Sequence, residues 1–272
     1  MKKLKLTNAV CTLILLLSTS SILANENTAL QISINGAQRS DQNVMRDQAR
    51  HPQQTLAFFG VRANSTVLEI WPGKGWYTEI LAPYLKQGGG KFIAAGFPLH
   101  AGPQWRQNMQ QKFQDDLASK PSYYDAVSFV EIGPPSFWTL GKENSVDTVL
   151  TFRNVHNWIK GGYEKEVFNA MYKVLKSGGV LGITEHRANP NTDIETMKKS
   201  GYITEQRVIQ LAEEVGFLLE SSTEINANPN DTKNYAAGVW TLPPTLRLGD
   251  ENREEYVAIG ESDRMTLKFK KP

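Results

Sequence analysis

Two stretches of this sequence combine reactive residue types with a spacing that presents them. In residues 67–81, VLEIWPGKGWYTEIL, an apolar run carries Glu69, then Gly73 and Gly75 form a turn before apolar residues at helical spacing. Glycines there let a ligand approach the backbone, and the following helix can offer its free N–H groups. The same glycines serve equally as a tight strand-to-helix turn. In residues 151–158, TFRNVHNW, an apolar run is followed by Arg153, Asn154 and His156. A histidine titrates near neutrality, so His156 can take a proton from an acceptor hydroxyl or amine, or simply shape the loop by hydrogen bonding. Asn154 can orient a ligand or hold a turn. Glu185, His186 and Arg187 follow a third apolar run and face the same rim, as substrate contacts or as a charge-satisfied edge.

Other chemistries fit less well. Arg46, Asp47, Arg50 and His51 read as a solvated helix face, with a lid making anion contacts as the alternative. Trp76 and Tyr77 read as packing that can also cover a ligand. A dinucleotide site wants a third glycine near Thr78 and an acid where Gly96 stands. There is no GxxxxGK[ST] phosphate loop and no GxSxG elbow. The four histidines, at 51, 100, 156 and 186, lack close metal-ligand spacing, so no metal is expected, although His156, His186 and Glu185 can meet in space.

These residues need elements to position them. Short apolar runs at 67–70, 92–95, 127–130, 146–152, 180–184 and 217–225 read as strands. Helical spacing between several of them gives an α/β, Rossmann-like, doubly wound and mostly parallel sheet, whose ligands sit beyond the carboxyl ends of the strands. Residues 25–40 read as a loose lead-in. Residues 175–179 read as a helix end, stopped at Ser177-Gly178-Gly179.

The chain has 272 residues, 30 Lys+Arg against 28 Asp+Glu, and one Cys. A near-neutral balance with no basic patch argues against nucleic acid as a partner. The start, MKKLKL, an apolar centre at 9–17 and small polar residues to Ala24 describe a signal peptide over 1–24. Nine apolar residues are too few for a stable membrane anchor. Losing this leader removes Cys11 and moves the formal charge from +2 to −1. The expected product is a thiol-free periplasmic chain, residues 25–272.

Taken together, Glu69 with its turn, SVDTVL at 145–150 before RNVHNW, and KVLKSGGVLGITEH at 173–186 resemble a class I S-adenosylmethionine-dependent methyltransferase. RDQARHP, NPNDTK and the closing GESDRMTLKF are similar to a bacterial family of exported predicted methyltransferases. The resemblance implies a seven-stranded sheet with an antiparallel last strand at 265–270, and an enlarged excursion over 226–264. It implies S-adenosylmethionine as cofactor, contacted by Glu69, Trp71, Gly73, Gly75 and Asn154. It further implies catalysis by His156 and Asn154, and substrate contacts from Arg153, Glu185, His186 and Arg187. Trp71 replaces the first glycine of the family loop, Gly96 replaces the ribose-binding acid, and Glu131 is a possible substitute acid. The expected activity is methyl transfer to a small-molecule or envelope acceptor. The alternative is a protein of this fold that has lost the donor and binds another ligand in the periplasm.

Overall fold

The computed structural model describes residues 28–272; the expected signal peptide lies outside the described residues. Seven strands form one sheet: β1 (Thr66–Ile70), β2 (Lys91–Gly96), β3 (Ser128–Glu131), β4 (Val146–Phe152), β5 (Leu175–His186), β6 (Leu218–Thr223) and β7 (Arg264–Lys270). Their spatial order is β3-β2-β1-β4-β5-β7-β6, parallel except for β7, which runs antiparallel to both β5 and β6. This is the Rossmann-like arrangement expected from the sequence. Central β4 is buried along almost its whole length, as required of a strand covered by helices on both faces.

A helix over residues 28–34 (α1) is followed by α2 (Asp41–Val44), α3 (Asp47–Arg50) and α4 (Pro52–Phe58) before the sheet begins. The connections between strands carry α5 (Thr78–Gly88), α6 (Gln104–Ala118), α7 (Pro121–Tyr124), α8 (Val155–Gly161), α9 (Glu164–Val174), α10 (Ile194–Ser200) and α11 (Glu205–Glu214). The excursion before β7 contains α12 (Arg253–Ile259) and a 3-10 turn, Gly238–Thr241. One apolar layer centres on Trp158, Phe168, Leu211 and Phe217, the other on Leu56, Phe59, Ile80 and Tyr84.

Two local expectations are corrected. Residues 28–34 are helical because Leu30 and Ile34, one turn apart, bury against the second apolar layer. The segment 175–179 is strand rather than helix end, because the chain after β7 pairs with it: Gly178 N donates to Lys271 O (2.8 Å) and Lys271 N to Gly179 O (3.0 Å).

Candidate functional site

Strand order reverses between β1, which leads to β2, and β4, which leads to β5. Loops leaving the carboxyl ends of β1 and β4 therefore diverge and open a crevice there. A cavity of about 820 Å³ occupies this crevice, within the size range of small-ligand pockets. Its floor is Glu69 and the loop Trp71–Lys74 from β1, with Phe152–Asn154 and His156 from β4 and α8, and His186 from β5. Arg46 and Arg50 close it from α2–α3, and Trp240, Pro243, Pro244, Glu261 and Ser262 from the excursion.

Asn154 staples the two diverging loops together. Its Nδ2 donates to Ile70 O (2.9 Å), Thr151 Oγ1 (3.2 Å) and Trp71 O (3.3 Å). Its amide protons are thus spent on the fold, at the switch point itself. Glu69, 3% exposed, accepts from Thr78 Oγ1 (2.9 Å). Burial lifts its carboxyl to about 8 against the weaker pull of Thr78 and of the Arg153 and Arg50 charges, so it is protonated at neutral pH.

His156 and His186 form the wall opposite α2–α3. Glu185, fully buried, accepts from His156 Nδ1 (3.0 Å), His156 N (3.2 Å) and His186 N (2.8 Å). A carboxylate can only accept here, so Nδ1 of His156 carries a proton, and in the neutral ring the lone pair lies on Nε2. His186 Nδ1 meets Ser262 Oγ at 2.6 Å, and the two imidazole centroids lie 5.3 Å apart. Burial above all, then the neighbouring His156 imidazole and the guanidiniums of Arg153, Arg264 and Arg50, hold His186 well below the usual histidine range, so its ring is neutral. Ligand atoms of His156, Glu185 and His186 lie within 4.8 Å of one another. Both Glu185 oxygens are already engaged, and the neighbouring guanidiniums oppose a cation.

Trp71 has φ of +47°, a conformation uncommon outside glycine. Its indole N–H donates to Ile132 O (2.9 Å) beyond β3, and its ring packs on Phe97 beyond β2, with centroids 4.5 Å apart. Arg106 lies over its face at 5.0 Å. Gly96, at the end of β2, faces Gln110: a Cβ there would lie 2.0 Å from Gln110 Oε1, which already accepts Phe97 N–H. Indole and Gln110 together close the tops of β2 and β3. The open space lies over β1, β4 and β5.

The residues singled out in the sequence divide accordingly. Glu69, Trp71, Gly73, Arg153, Asn154, His156 and His186 line the cavity, with Trp76 and Tyr77 beside them. Glu185 stands behind His156 and orients it. Gly75 does not line the cavity; a Cβ there would meet Phe113 of α6 at 2.9 Å. Arg187 points away, paired with Glu224 and Asp263. Glu131 is diverted to accept Leu99 N (2.9 Å). The reading of Arg46 and Arg50 as a solvated face is overturned. Arg50 is 1% exposed and bonds Glu261, 211 residues away. Sequence reasoning missed Glu261, Ser262 and Trp240 as site residues, since they reach the cavity only through contacts remote along the chain.

No family model and no curated protein matches this sequence. Its fold is that of solved S-adenosylmethionine-dependent methyltransferases. A SAM-dependent methyltransferase from Aquifex aeolicus aligns at 17% identity over 66% of this chain and 87% of that one, with a TM-score of 0.53. A geranyl diphosphate methyltransferase in complex with SAM aligns at 11% identity over 89% and 95%, with a TM-score of 0.56. The [4+2]-cyclase SpnF aligns at 13% identity over 82% and 80%, also at 0.56. At these identities the likeness is one of fold, and the same fold carries more than one activity.

Proposed function

We propose that this chain is an S-adenosylmethionine-dependent methyltransferase, exported on its basic-apolar leader and acting on a small-molecule or envelope acceptor in the periplasm. The observation that supports this most is the cavity at the β1–β4 switch point, which carries a carboxylate-oriented histidine on its wall. The cavity volume and the Glu69–Gly73–Asn154 floor fit the donor's amino-acid end. Trp71 and Gln110 confine whatever binds to the side over β1, β4 and β5. When bound, S-adenosylmethionine supplies an electrophilic methyl on a sulfonium. The chain's own contribution is position and proton removal. Glu185 fixes the His156 tautomer, and His156 Nε2 would take the proton the acceptor gives up on methylation, the donor leaving as its neutral thioether. Trp71 and the excursion keep water from the reacting atoms.

Titration with S-adenosylmethionine and its demethylated product tests the reading. Saturable binding in the micromolar range is expected, and no binding at millimolar ligand overturns it. His156→Ala is expected to keep donor affinity and lose turnover by about 10²–10⁴; unchanged turnover excludes a required base. The closed tops of β2 and β3 favour a second reading, a donor-free ligand-binding protein. It predicts that the first titration fails while another ligand still occupies the cavity.

A further inference from the structure

Three guanidiniums bond one carboxylate at the inner wall of the cavity, and a fourth lies within reach of its charge. Glu261 Oε1 takes Arg46 Nε (2.6 Å), and Oε2 takes Arg50 Nε (3.2 Å) and Arg264 Nη1 (3.2 Å). Arg153 lines the same cavity and makes no side-chain hydrogen bond or ion pair among the described residues. Burial above all, with neighbouring guanidiniums, lowers its pKa to about 10 against the opposing pull of Glu261, so it remains charged at neutral pH.

The hydrogen-bonding capacity is equally unbalanced. Among the described residues, Nη2 of Arg46 and Nη2 of Arg50 are buried with no partner, and both residues line the cavity. A buried guanidinium N–H left unpaired is costly unless something completes it. Arg50 is also clamped in place: its guanidinium lies over the Trp76 ring at 4.7 Å. Glu69, the other carboxyl on the cavity, is protonated at neutral pH and contributes no compensating charge. Lys74 adds a further cation to the lining.

A divalent cation at the His156–His186 pair would face this field, which disfavours a metal site there. The methyl donor does not balance it either, since its single carboxylate is outweighed by an ammonium and a sulfonium. The compensating charge must come from the other ligand. Arg153 leads into α8 three residues before His156, and both line the cavity, so an anionic group held by the arginines keeps the rest of its molecule within reach of His156.

We propose that Arg46, Arg50 and Arg153 form an anion site for the methyl acceptor, which carries a carboxylate or phosphate group. This rests on the methyltransferase reading for the word acceptor, but the anion site itself does not.

The test is calorimetry on the protein at fixed ionic strength, with pyrophosphate and citrate as probes and chloride as the background ion. Each titration is run without and with saturating S-adenosylmethionine. Submillimolar binding of at least one probe is expected, undiminished by the donor, and the tighter probe separates phosphate from carboxylate chemistry. Arg50→Ala should weaken binding at least tenfold. Arg153→Gln should do the same and leaves no partner unpaired, so it serves if Arg50→Ala does not fold. Lys112→Ala, an equal charge change on an exposed helix face, should leave binding within twofold. Binding of neither probe, equal loss in Lys112→Ala, or competition between probe and donor overturns the proposal; competition would mean that the cluster holds the donor's own carboxylate. Probe binding with no donor binding instead supports the anion site and overturns the methyltransferase reading.

Discussion

Glu69 sits at the end of β1, fully enclosed, with a hydroxyl as its bonding partner rather than a cation. Burial raises its carboxyl to about 8, whereas the unfolded chain ionises near 4.5. Below 4.5 both states hold the proton. Between 4.5 and 8 only the unfolded chain releases it, so unfolding becomes easier by about 1.4 kcal/mol per pH unit. Glu69→Gln keeps the Thr78 bond and removes this slope. Urea denaturation at pH 4.5, 6 and 8 should show the variant equal to the parent at the lowest pH and progressively more stable above it. A parallel pH profile for the two proteins contradicts the assignment. The same isolation suits a site that must hold a neutral carboxyl beside guanidiniums without quenching them.

At the scale of elements, buried polar groups attach the excursion between β6 and β7 alongside a small apolar cluster of Val239 and Trp240 on Ala188 and Tyr202. Asp231, 2% exposed, accepts from Tyr202 Oη (3.0 Å), Asp263 N (2.8 Å) and Lys233 N (2.8 Å). Asn226 Nδ2 reaches Thr55 Oγ1 and Thr266 Oγ1, both at 3.0 Å, joining the excursion to α4 and β7. These bonds hold Trp240, Glu261 and Ser262 against the strand ends. Asp231→Ala leaves three donors unsatisfied inside the protein, each worth about 1–3 kcal/mol. Denaturation should report a loss of about 3 kcal/mol or more, and Trp240 fluorescence should shift toward that of exposed indole. A loss below 1 kcal/mol would mean that the excursion is held by something else.

For the whole molecule, Glu261 joins the amino-terminal helices to the last strand. Its burial disfavours charge, yet Arg50, Arg264, Arg153 and Arg46 bring its pKa down to about 2. Its stabilisation is therefore complete above the unfolded value of 4.5 and is lost as pH falls toward 2. Glu261→Gln removes the shared counter-charge of four guanidiniums, a change expected to cost about 3–5 kcal/mol at pH 7 and little near pH 2. Thermal unfolding across that range checks both the size and the sign.

What the sequence determined by itself was local. Apolar runs separated by helical stripes predict β1 to β6 because a strand and an amphipathic helix each leave a short-range pattern. Gly73, Arg153, Asn154 and His156 mark the site's floor for the same reason: they follow strand ends closely, and strand ends are legible. The antiparallel end of the sheet came from the resemblance instead. The tertiary structure decided how side chains are partnered. It turned Arg46 and Arg50 from a solvent-facing stripe into cavity wall, since a charge partner 211 or 215 residues away leaves no periodicity to read. It also assigned the Asn154 amide to the fold and sent the Trp71 indole over the β2 and β3 ends. Residue type and spacing constrain the backbone. The destination of a hydrogen bond or a charge depends on which segments the fold brings together.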